Sequence, residues 1–223
     1  MAQDADFKPA EGHRLDAFVD AAFAFAVSLL IIAGGEPLAS FTDLTQALLR
    51  IPAFLAGFAL IVLFWLAHRT WSALRPQRDA RATLLSLAIV FAVLVFVFPL
   101  RLLIETAAHF LSGGRLPGAG LINSFDQLGW TYLIYGFGFS VLSVLFALLF
   151  RQALATMDPD DQARRKAARQ WVRTWALAAA TGVLSGLVAL TPAVRAAPWL
   201  PGVTYWLIPA GIAVFGFLDR RRI

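Results

Sequence analysis

Arg14, Asp20 and His68 are ionisable side chains that stand in or beside long apolar stretches, where a charge is costly. Asp20 lies a few residues inside the apolar run that follows Arg14, and His68 ends a second run, LFWLAHRTW. A carboxylate in the middle of a bilayer costs about 3 kcal/mol on insertion scales, so such a group faces protein, water or a partner. The chemistry open to these residues is therefore helix pairing, or the passage and gating of ions.

Two partners for Asp20 can be proposed from spacing. Arg14 is six residues earlier, about 120° short of two full helical turns, and its long side chain could bridge that angle. His68 would lie at a similar depth if the first two apolar helices run antiparallel. In the plainer alternative, Asp20 and His68 only hold two helices together. His68 could also titrate near neutral pH and couple a conformational change to acidity.

Enzyme and metal chemistry have no support in the sequence. The three histidines, His13, His68 and His109, fall in different regions, no His-x-x-x-His or carboxylate cluster occurs, and the chain has no cysteine. A metal site therefore lacks a ligand set. No nucleophile stands in a recognisable setting, and no glycine-rich phosphate loop is present. We expect no catalytic residue, no metal, no cofactor and no small-molecule substrate.

The elements that carry these residues are membrane helices. Of the 223 residues 59% are hydrophobic and 15% are charged, and the mean hydropathy is +0.70, outside the range of soluble domains. Six apolar segments each approach the ~20 residues that a helix needs to cross a bilayer. None alternates with period two, as barrel strands would. We predict an all-α membrane protein in which residues 1–223 form one six-helix domain, with spans at about 17–33, 51–67, 82–100, 128–150, 172–190 and 199–218.

The basic residues predict the orientation. Most of the 19 Lys and Arg lie in the two chain ends and in the loops that follow the second and fourth spans. The exceptions are Arg50, Arg101, Arg115 and Arg195, which lie in or beside the other three loops. The positive-inside rule then places both chain ends in the cytoplasm. The net charge of +5 thus reflects topology, and no nucleic-acid partner is expected. The first apolar run could pass for a secretory signal, but acidic residues dominate its flank, so we interpret it as a retained helix.

Several local features give finer predictions. Pro99 should close the third span, and Asp158 or Asp160 should cap a short basic helix that runs into the fifth span. Arg101 and Glu105, four residues apart, should pair. Small residues in the fourth and fifth spans should mark helix contacts: Gly136, Ser140, Ser143, Ala147, Gly182 and Gly186. Tryptophans near span ends should be interfacial anchors: Trp71, Trp130, Trp171 and Trp199.

The first helix resembles a known family. RLDAFVDAAFAFAVSLLII is similar to the signature Arg-x-x-x-Phe-Ser-Asp, followed by Phe-Ala and Thr-Leu-Leu, of the endolysosomal transmembrane potassium channels, especially their prokaryotic six-helix members. The matching residues are Arg14, Phe18, Asp20, Phe23, Ala24, Leu29 and Leu30. The second span adds a Trp-x-x-His element, Trp65 and His68. The number of spans and the placement of both ends inside agree as well.

This resemblance implies a homotetramer in the lipid bilayer, placed in the inner membrane of a prokaryotic cell. Four first helices would line a central pore that passes potassium through apolar constrictions instead of a carbonyl filter. In the family, the signature residues and the histidine of the second helix form a network on the intracellular side that holds the pore helix. Carried over, this assigns that role to Arg14, Phe18, Asp20, Trp65 and His68.

Helical spacing gives a candidate pore face. Phe25, Ser28, Leu29 and Ile32 follow the i, i+3, i+4, i+7 pattern and can share one stripe. By resemblance, Ser28 takes the position of the threonine in the narrow part of the pore. Its hydroxyl could contact a partly dehydrated ion, while Phe25 and Ile32 would form apolar rings that gate by dewetting. Residues at this spacing in a membrane span are also ordinary packing residues.

The sequence departs from the family in ways that leave alternatives open. Val19 replaces the serine of the signature, Ser28 replaces the threonine, and Ala33, Gly34 and Gly35 stand where an acidic residue often follows the pore stretch. A non-conducting scaffold of the same fold, or a pore that favours protons, would fit these changes. A secondary transporter fits less well, because no inverted repeat or paired broken helix is visible.

Overall fold

The computed structural model describes residues 4–32, 39–75, 78–118, 120 and 122–220, with side chains from residue 12 to residue 219. Within these residues the chain is helical and forms no strand. Its elements are α1 (Asp4–Ile32), α2 (Phe41–Leu49), α3 (Ile51–Leu74), α4 (Ala80–Leu111), α5 (Phe125–Thr156), α6 (Gln162–Ala189), α7 (Ala193–Ala196), α8 (Leu200–Val203), a 3-10 turn (Thr204–Trp206) and α9 (Leu207–Arg220).

Six of the described helical segments are long and apolar enough to cross a membrane. They lie in α1, α3, α4, α5, α6 and the run from α8 to α9, which confirms the predicted all-α fold with six spans. The helices extend beyond the predicted apolar cores because polar residues continue them outside the hydrocarbon. Ala33 to Gly35, which include the predicted end of the first span, lie outside the described residues.

The prediction that Pro99 closes the third span is wrong. α4 runs through Pro99 to Leu111. A proline inside a helix removes one backbone hydrogen bond and crowds the preceding turn. Membrane helices tolerate this, because neighbouring helices and local adjustments satisfy the freed groups. The extra turns carry Arg101 and Glu105, which the helix holds on one face.

The polar segment between the fourth and fifth spans is mostly helical. α5 continues to Thr156, and α6 begins at Gln162 and runs without a break into the span, as predicted. The capping residue is Asp161, not the predicted Asp158 or Asp160. Its carboxylate accepts the backbone N–H of Arg164 at 3.1 Å. The Arg165 guanidinium also donates to backbone carbonyls at the end of α5. Hydrogen bonds therefore stabilise both the end of α5 and the start of α6.

The predicted helix contacts between α5 and α6 are confirmed for Gly136, Ser140, Gly182 and Gly186. A Cβ added to Gly136 would stand 2.5 Å from the carbonyl oxygen of Gly182, so the two backbones touch there. One turn away, the Ser140 hydroxyl donates to the carbonyl of Ala179 at 3.0 Å. Close backbone approach of this kind supplies the packing that association in lipid requires.

Aromatic rings fill the core between α3, α5 and α6. Phe64 stacks on Phe146 at a centroid distance of 5.9 Å, and Phe146 stacks on Trp175 at 4.6 Å. Such pairs stabilise a core beyond the area they bury. α1 packs outside this group, against α3 and α4.

The tryptophans divide into two classes. Trp130 and Trp199 are 61% and 52% exposed, which agrees with a place at the membrane interface. Trp71 is fully buried, so the prediction that it is an interfacial anchor is wrong. Trp171 stacks on Phe150 of α5 at 5.4 Å. A ring near the end of a span is buried when a neighbouring helix passes that level, and hydropathy along one segment does not show this.

The two ends of the bundle differ in charge. We call the basic end the one that holds the start of α1, the α3–α4 and α5–α6 turns and the end of α9. At the opposite end α2, a short helix capped by Ser40, leads into α3. The last span is not one α-helix there, because α7, α8 and the 3-10 turn precede α9.

Candidate pore-lining helix and its contacts

α1 has one buried face and one exposed face. Val19, Phe23, Ala26 and Leu30 are at most 4% exposed and belong to the core shared with α3 and α4. These positions recur every three or four residues, which places them on one side of the helix. Val19 stands where the family signature has serine, and its fully buried site contains apolar neighbours. The loss of the hydroxyl therefore leaves a residue suited to packing.

Three of the four predicted pore residues lie on the exposed face. Phe25 and Ile32 are 55% and 67% exposed, and Ser28 is exposed between them. Leu29 differs, because it is only partly exposed and packs against the core. It lies at the edge of the stripe, since it is about 100° further round the helix than Ser28. No other helix of the described chain covers the stripe formed by Phe25, Ser28 and Ile32.

The Ser28 hydroxyl is oriented by its own helix. It donates to the backbone carbonyl of Ala24 at 3.2 Å. This i to i−4 bond is common for serine in helices. Because the proton is directed at Ala24, the lone pairs of the oxygen are available to a cation in front of the exposed stripe.

Asp20 is bonded to Trp65. The indole N–H of Trp65 donates to a carboxylate oxygen of Asp20 at 2.7 Å, and the Arg69 guanidinium lies 5.5 Å from the centre of the Trp65 ring. The predictions that Arg14 or His68 is the partner of Asp20 are therefore wrong. α3 does supply the partner, but from a residue one turn away from His68.

His68 faces into the bundle instead. It is buried, its Nε2 lies 3.0 Å from the Ser86 hydroxyl of α4, and its ring is 5.2 Å from that of Trp71. The Trp-x-x-His element thus joins two different helices to α3: Trp65 contacts α1, and His68 contacts α4. The first contact attaches α1 to α3, and the second joins α3 to α4, the two helices against which α1 packs.

The main ionic contact of α1 is one that sequence reasoning missed. Asp16 accepts hydrogen bonds from Arg78 at 2.9 and 3.0 Å and from the Ser72 hydroxyl at 2.8 Å. Arg78 also donates to Ser72 and to the carbonyl of Arg75, and it lies 4.6 Å from the ring centre of Trp71. The available signal was an acid in the signature segment RLDAFVD and a basic turn, RPQRD, at the same end of the bundle.

The turn before α4 ties the same end of the bundle to α5. Asp79 caps α4 by accepting the Ala82 backbone N–H at 2.7 Å, and it also accepts from Arg75 at 3.2 Å and from Gln152 at 2.6 Å. Burial raises the pKa of Asp79, but the hydrogen bonds from Ala82, Arg75 and Gln152 outweigh it and hold the pKa below the ordinary value. The carboxylate is therefore charged at neutral pH.

Arg14 and Phe18 have no place in this group of contacts. Phe18 is 53% exposed, and Arg14 is exposed and makes no hydrogen bond or ion pair with the other side chains that the structure describes. Of the five residues predicted as a network, Asp20 and Trp65 are brought together, and His68 lies on the adjacent face of α3. Arg14 and Phe18 remain on the exposed side of α1.

The opposite end adds a confirmed pair and a closed loop. Arg101 and Glu105 pair at 2.7 Å and are 15% and 9% exposed, as their spacing predicted. His109 hydrogen bonds through Nδ1 to the carbonyl of Leu116 at 2.7 Å. Among the described residues no group of three or more His, Asp and Glu could hold a metal ion.

Comparison with known proteins finds a similarity to one protein family in the part of the chain that contains α1. Residues 14–99 match the model of the endosomal/lysosomal potassium channel TMEM175 family. A protein of Marivirga tractuosa named "Potassium channel" is 29% identical over 159 residues, which is 66% of this chain and 61% of that relative. The match thus spans about three fifths of the relative. Both the family and this relative are described as potassium channels.

Two solved structures share the fold of nearly the whole chain. The potassium channel MtTMEM175, as a single-residue variant in complex with a nanobody fusion protein, has a TM-score of 0.78 at 23% identity, over 93% of each chain. A lysosomal potassium-selective channel TMEM175 homologue from Chamaesiphon minutus has a TM-score of 0.64 at 20% identity, over 92% of this chain and 97% of that one. The predicted resemblance to this family is confirmed, and the protein is an integral membrane protein.

Proposed function

We propose that this chain, a TMEM175-type membrane protein by its family match and its fold, is a cation channel that conducts potassium. Four copies would surround an axis with their α1 helices innermost. The observation that carries the proposal is the open face of α1, where Phe25, Ser28 and Ile32 stand exposed while the opposite face is buried. In an assembly centred on α1, this face lines the path.

The stripe has the chemistry that a filterless pore requires. Phe25 and Ile32 present apolar side chains on either side of Ser28, so rings of these residues would narrow the path and exclude water until it widens. The Ser28 oxygen, whose proton is directed at Ala24, offers lone pairs to a cation that has lost part of its hydration shell. No cofactor is needed, and the permeant potassium ion is the only ligand of the site.

The contacts of α1 hold this face towards the axis. Asp20 bonds to Trp65 and Asp16 bonds to Arg78, both on the side away from the stripe. A helix fixed on one side by two polar contacts and an apolar seam cannot rotate without breaking them. The packing of α1 against α3 and α4 thus fixes the orientation of α1 about its own axis, and this orientation exposes Ser28.

Flux measurements test the proposal. Purified protein in liposomes is given a potassium gradient against sodium, with a protonophore control. We expect a current that reverses at the potassium potential, and Ile32→Asn to raise it by wetting the constriction. Ile31→Asn is the matched control, because Ile31 is 59% exposed and adjacent but lies about 100° away around the helix. If both variants changed the current equally, or if neither changed it, the proposed pore face would be contradicted.

The same experiment separates the alternatives. Flux that equals that of empty liposomes, from protein that remains folded, would favour a non-conducting scaffold. A flux of protons, like that produced by the protonophore, without a flux of potassium would favour a proton pore. The half-exposed ring of Phe25 is then the candidate for the group that blocks potassium. In that case Phe25→Ala should admit potassium.

The proposed setting is the inner membrane of a prokaryotic cell, with a homotetramer in the lipid bilayer and both chain ends in the cytoplasm. The basic end then faces the cytoplasm, in agreement with the positive-inside rule. The chain has no cysteine, so single cysteines can report sidedness. We expect Ala163→Cys, at an exposed position in the first turn of α6, to react only from inside and Arg115→Cys to react only from outside. The reverse pattern would invert the topology.

A further inference from the structure

The exposed stripe of α1 continues beyond Phe25 to an arginine at the basic end. Arg14, Phe18, Phe25 and Ile32 are separated by four, seven and seven residues, so at about 100° per residue they fall within about 40° of one another. Arg14 and Phe18 are exposed like Phe25 and Ile32. Arg14 therefore lies on the line of the candidate pore residues, about 16 Å from the level of Phe25 at about 1.5 Å per residue.

Two acids of α1 have side chains that the structure describes, Asp16 and Asp20, and both bond to residues of the α3–α4 region. Asp16 is bonded to Arg78 and Ser72, and Asp20 is bonded to Trp65. Within the described side chains of α1, from residue 12 to residue 32, Arg14 is the ionisable residue on the stripe. Arg14 forms no ion pair with an acid among the described side chains, whereas Arg78 at the same end is 5% exposed and is paired with Asp16.

We infer that Arg14 is a conductance-limiting residue that places a ring of positive charge at the basic-end mouth of the pore. The inference rests on the proposed function, since it needs four α1 helices around one axis. Four guanidiniums in a narrow mouth lower the local concentration of cations and slow their entry from that side. Current carried from the basic end outwards is then smaller than current in the other direction, so the channel rectifies.

This mechanism has a salt signature. Screening by ions shortens the reach of a charge from about 30 Å at 0.01 M to about 3 Å at 1 M ionic strength. A ring that acts through its field is therefore effective in dilute salt and ineffective in concentrated salt. A residue that only holds the helix in place would affect the current equally under both conditions.

The experiment is conductance in planar bilayers at about 10 mM and about 1 M KCl for Arg14→Gln, Arg14→Lys and Arg151→Gln. Arg151 is the matched control, because it is an exposed arginine at the same end of the bundle, on α5. We expect Arg14→Gln to raise the potassium conductance about two- to five-fold in the dilute salt and to abolish rectification. In the concentrated salt it should match the parent. Arg14→Lys should behave as the parent at both concentrations, and Arg151→Gln should change neither value.

Three results would overturn the inference. One is an Arg14→Gln conductance equal to that of the parent in dilute salt, and another is the same change at both salt concentrations. The third is a rise with Arg151→Gln as large as that with Arg14→Gln. A parent protein that carries no potassium current would remove the proposed function and this inference with it. A conducting parent with an unchanged Arg14→Gln variant would remove the inference alone.

Discussion

Trp65 of α3 donates its indole N–H to the carboxylate of Asp20 on α1 at 2.7 Å. This bond satisfies a charge that the sequence places inside an apolar helix. It also fixes the rotation of α1, because Asp20 can reach Trp65 only when Val19 and Phe23 are directed into the core. The exposed position of Ser28 follows from that rotation.

Loss of the Trp65 donor should weaken the attachment of α1. We expect Trp65→Phe to lower the free energy of unfolding in mixed micelles by about 1–2 kcal/mol, at or below the lower end of the range for a hydrogen bond to a charged group, since Asp20 is exposed. Phenylalanine keeps a ring for the Arg69 guanidinium. Trp130→Phe, at a ring that is 61% exposed, is the control. Equal losses from the two changes would show that the hydrogen bond contributes nothing.

The partner of Asp20 could not be predicted from the sequence. Trp65 and His68 are three residues apart, so their directions around α3 differ by only about 60°. Hydropathy places both at the same level of the membrane, but the choice between them depends on how α3 is rotated against α1 and α4. That rotation is set by packing of the whole bundle, including the Ser86 contact of His68. Spans and their number follow from one-dimensional hydropathy, whereas such pairings do not.

Arg78 should be the strongest single attachment at the basic end. Its side chain is 5% exposed and bonds to Asp16, Ser72 and the Arg75 carbonyl. Removing one partner of a buried pair costs about 3–5 kcal/mol, and partial exposure of Asp16 reduces this. We expect Asp16→Asn to lower the free energy of unfolding by about 1–3 kcal/mol. Arg164→Gln, which breaks an exposed pair with Asp161, should cost less than about 1 kcal/mol.

Double-mutant analysis decides whether Asp16 acts through Arg78. Asp16→Asn combined with Arg78→Gln should cost less than the sum of the single changes, because the second change removes a charge that the first left unpaired. Simple additivity would mean that the two side chains contribute independently, and the ionic link between α1 and the α3–α4 turn would then be absent in solution.

Asp79 should make the α3–α4 turn sensitive to acid. Its pKa in the folded chain is below the ordinary value of 3.8, because the hydrogen bonds from Ala82, Arg75 and Gln152 outweigh burial. A lowered folded pKa stabilises the protein above the unfolded pKa, and this contribution is lost as the pH falls through the folded pKa. We expect the parent to be more stable than Asp79→Asn at neutral pH, and the difference to shrink as the pH falls below 3.8 and through the lowered folded pKa. A difference that is unchanged at low pH would exclude the carboxylate as its cause.

The α5–α6 contact was visible in the sequence as a set of small residues, but the residue that matters most was not. Among the glycines, Gly136 lies directly against a backbone carbonyl of α6, while Gly216 of α9 has nothing within 4 Å of an added Cβ. Spacing alone treats such glycines alike. Their difference depends on which helix lies opposite, so it becomes visible only in three dimensions.

Gly136→Ala therefore should force α5 and α6 apart. The added methyl would stand 2.5 Å from the carbonyl oxygen of Gly182 and 3.3 Å from the backbone nitrogen of Gly186, and backbone atoms on both sides cannot move aside as a side chain would. We expect a loss of about 1–3 kcal/mol in the free energy of unfolding, the usual cost of overpacking. Gly216→Ala should be neutral or stabilise α9 by up to about 1 kcal/mol, because alanine favours the helix and meets open space. If both changes had the same effect, helix propensity and not the contact between α5 and α6 would account for it.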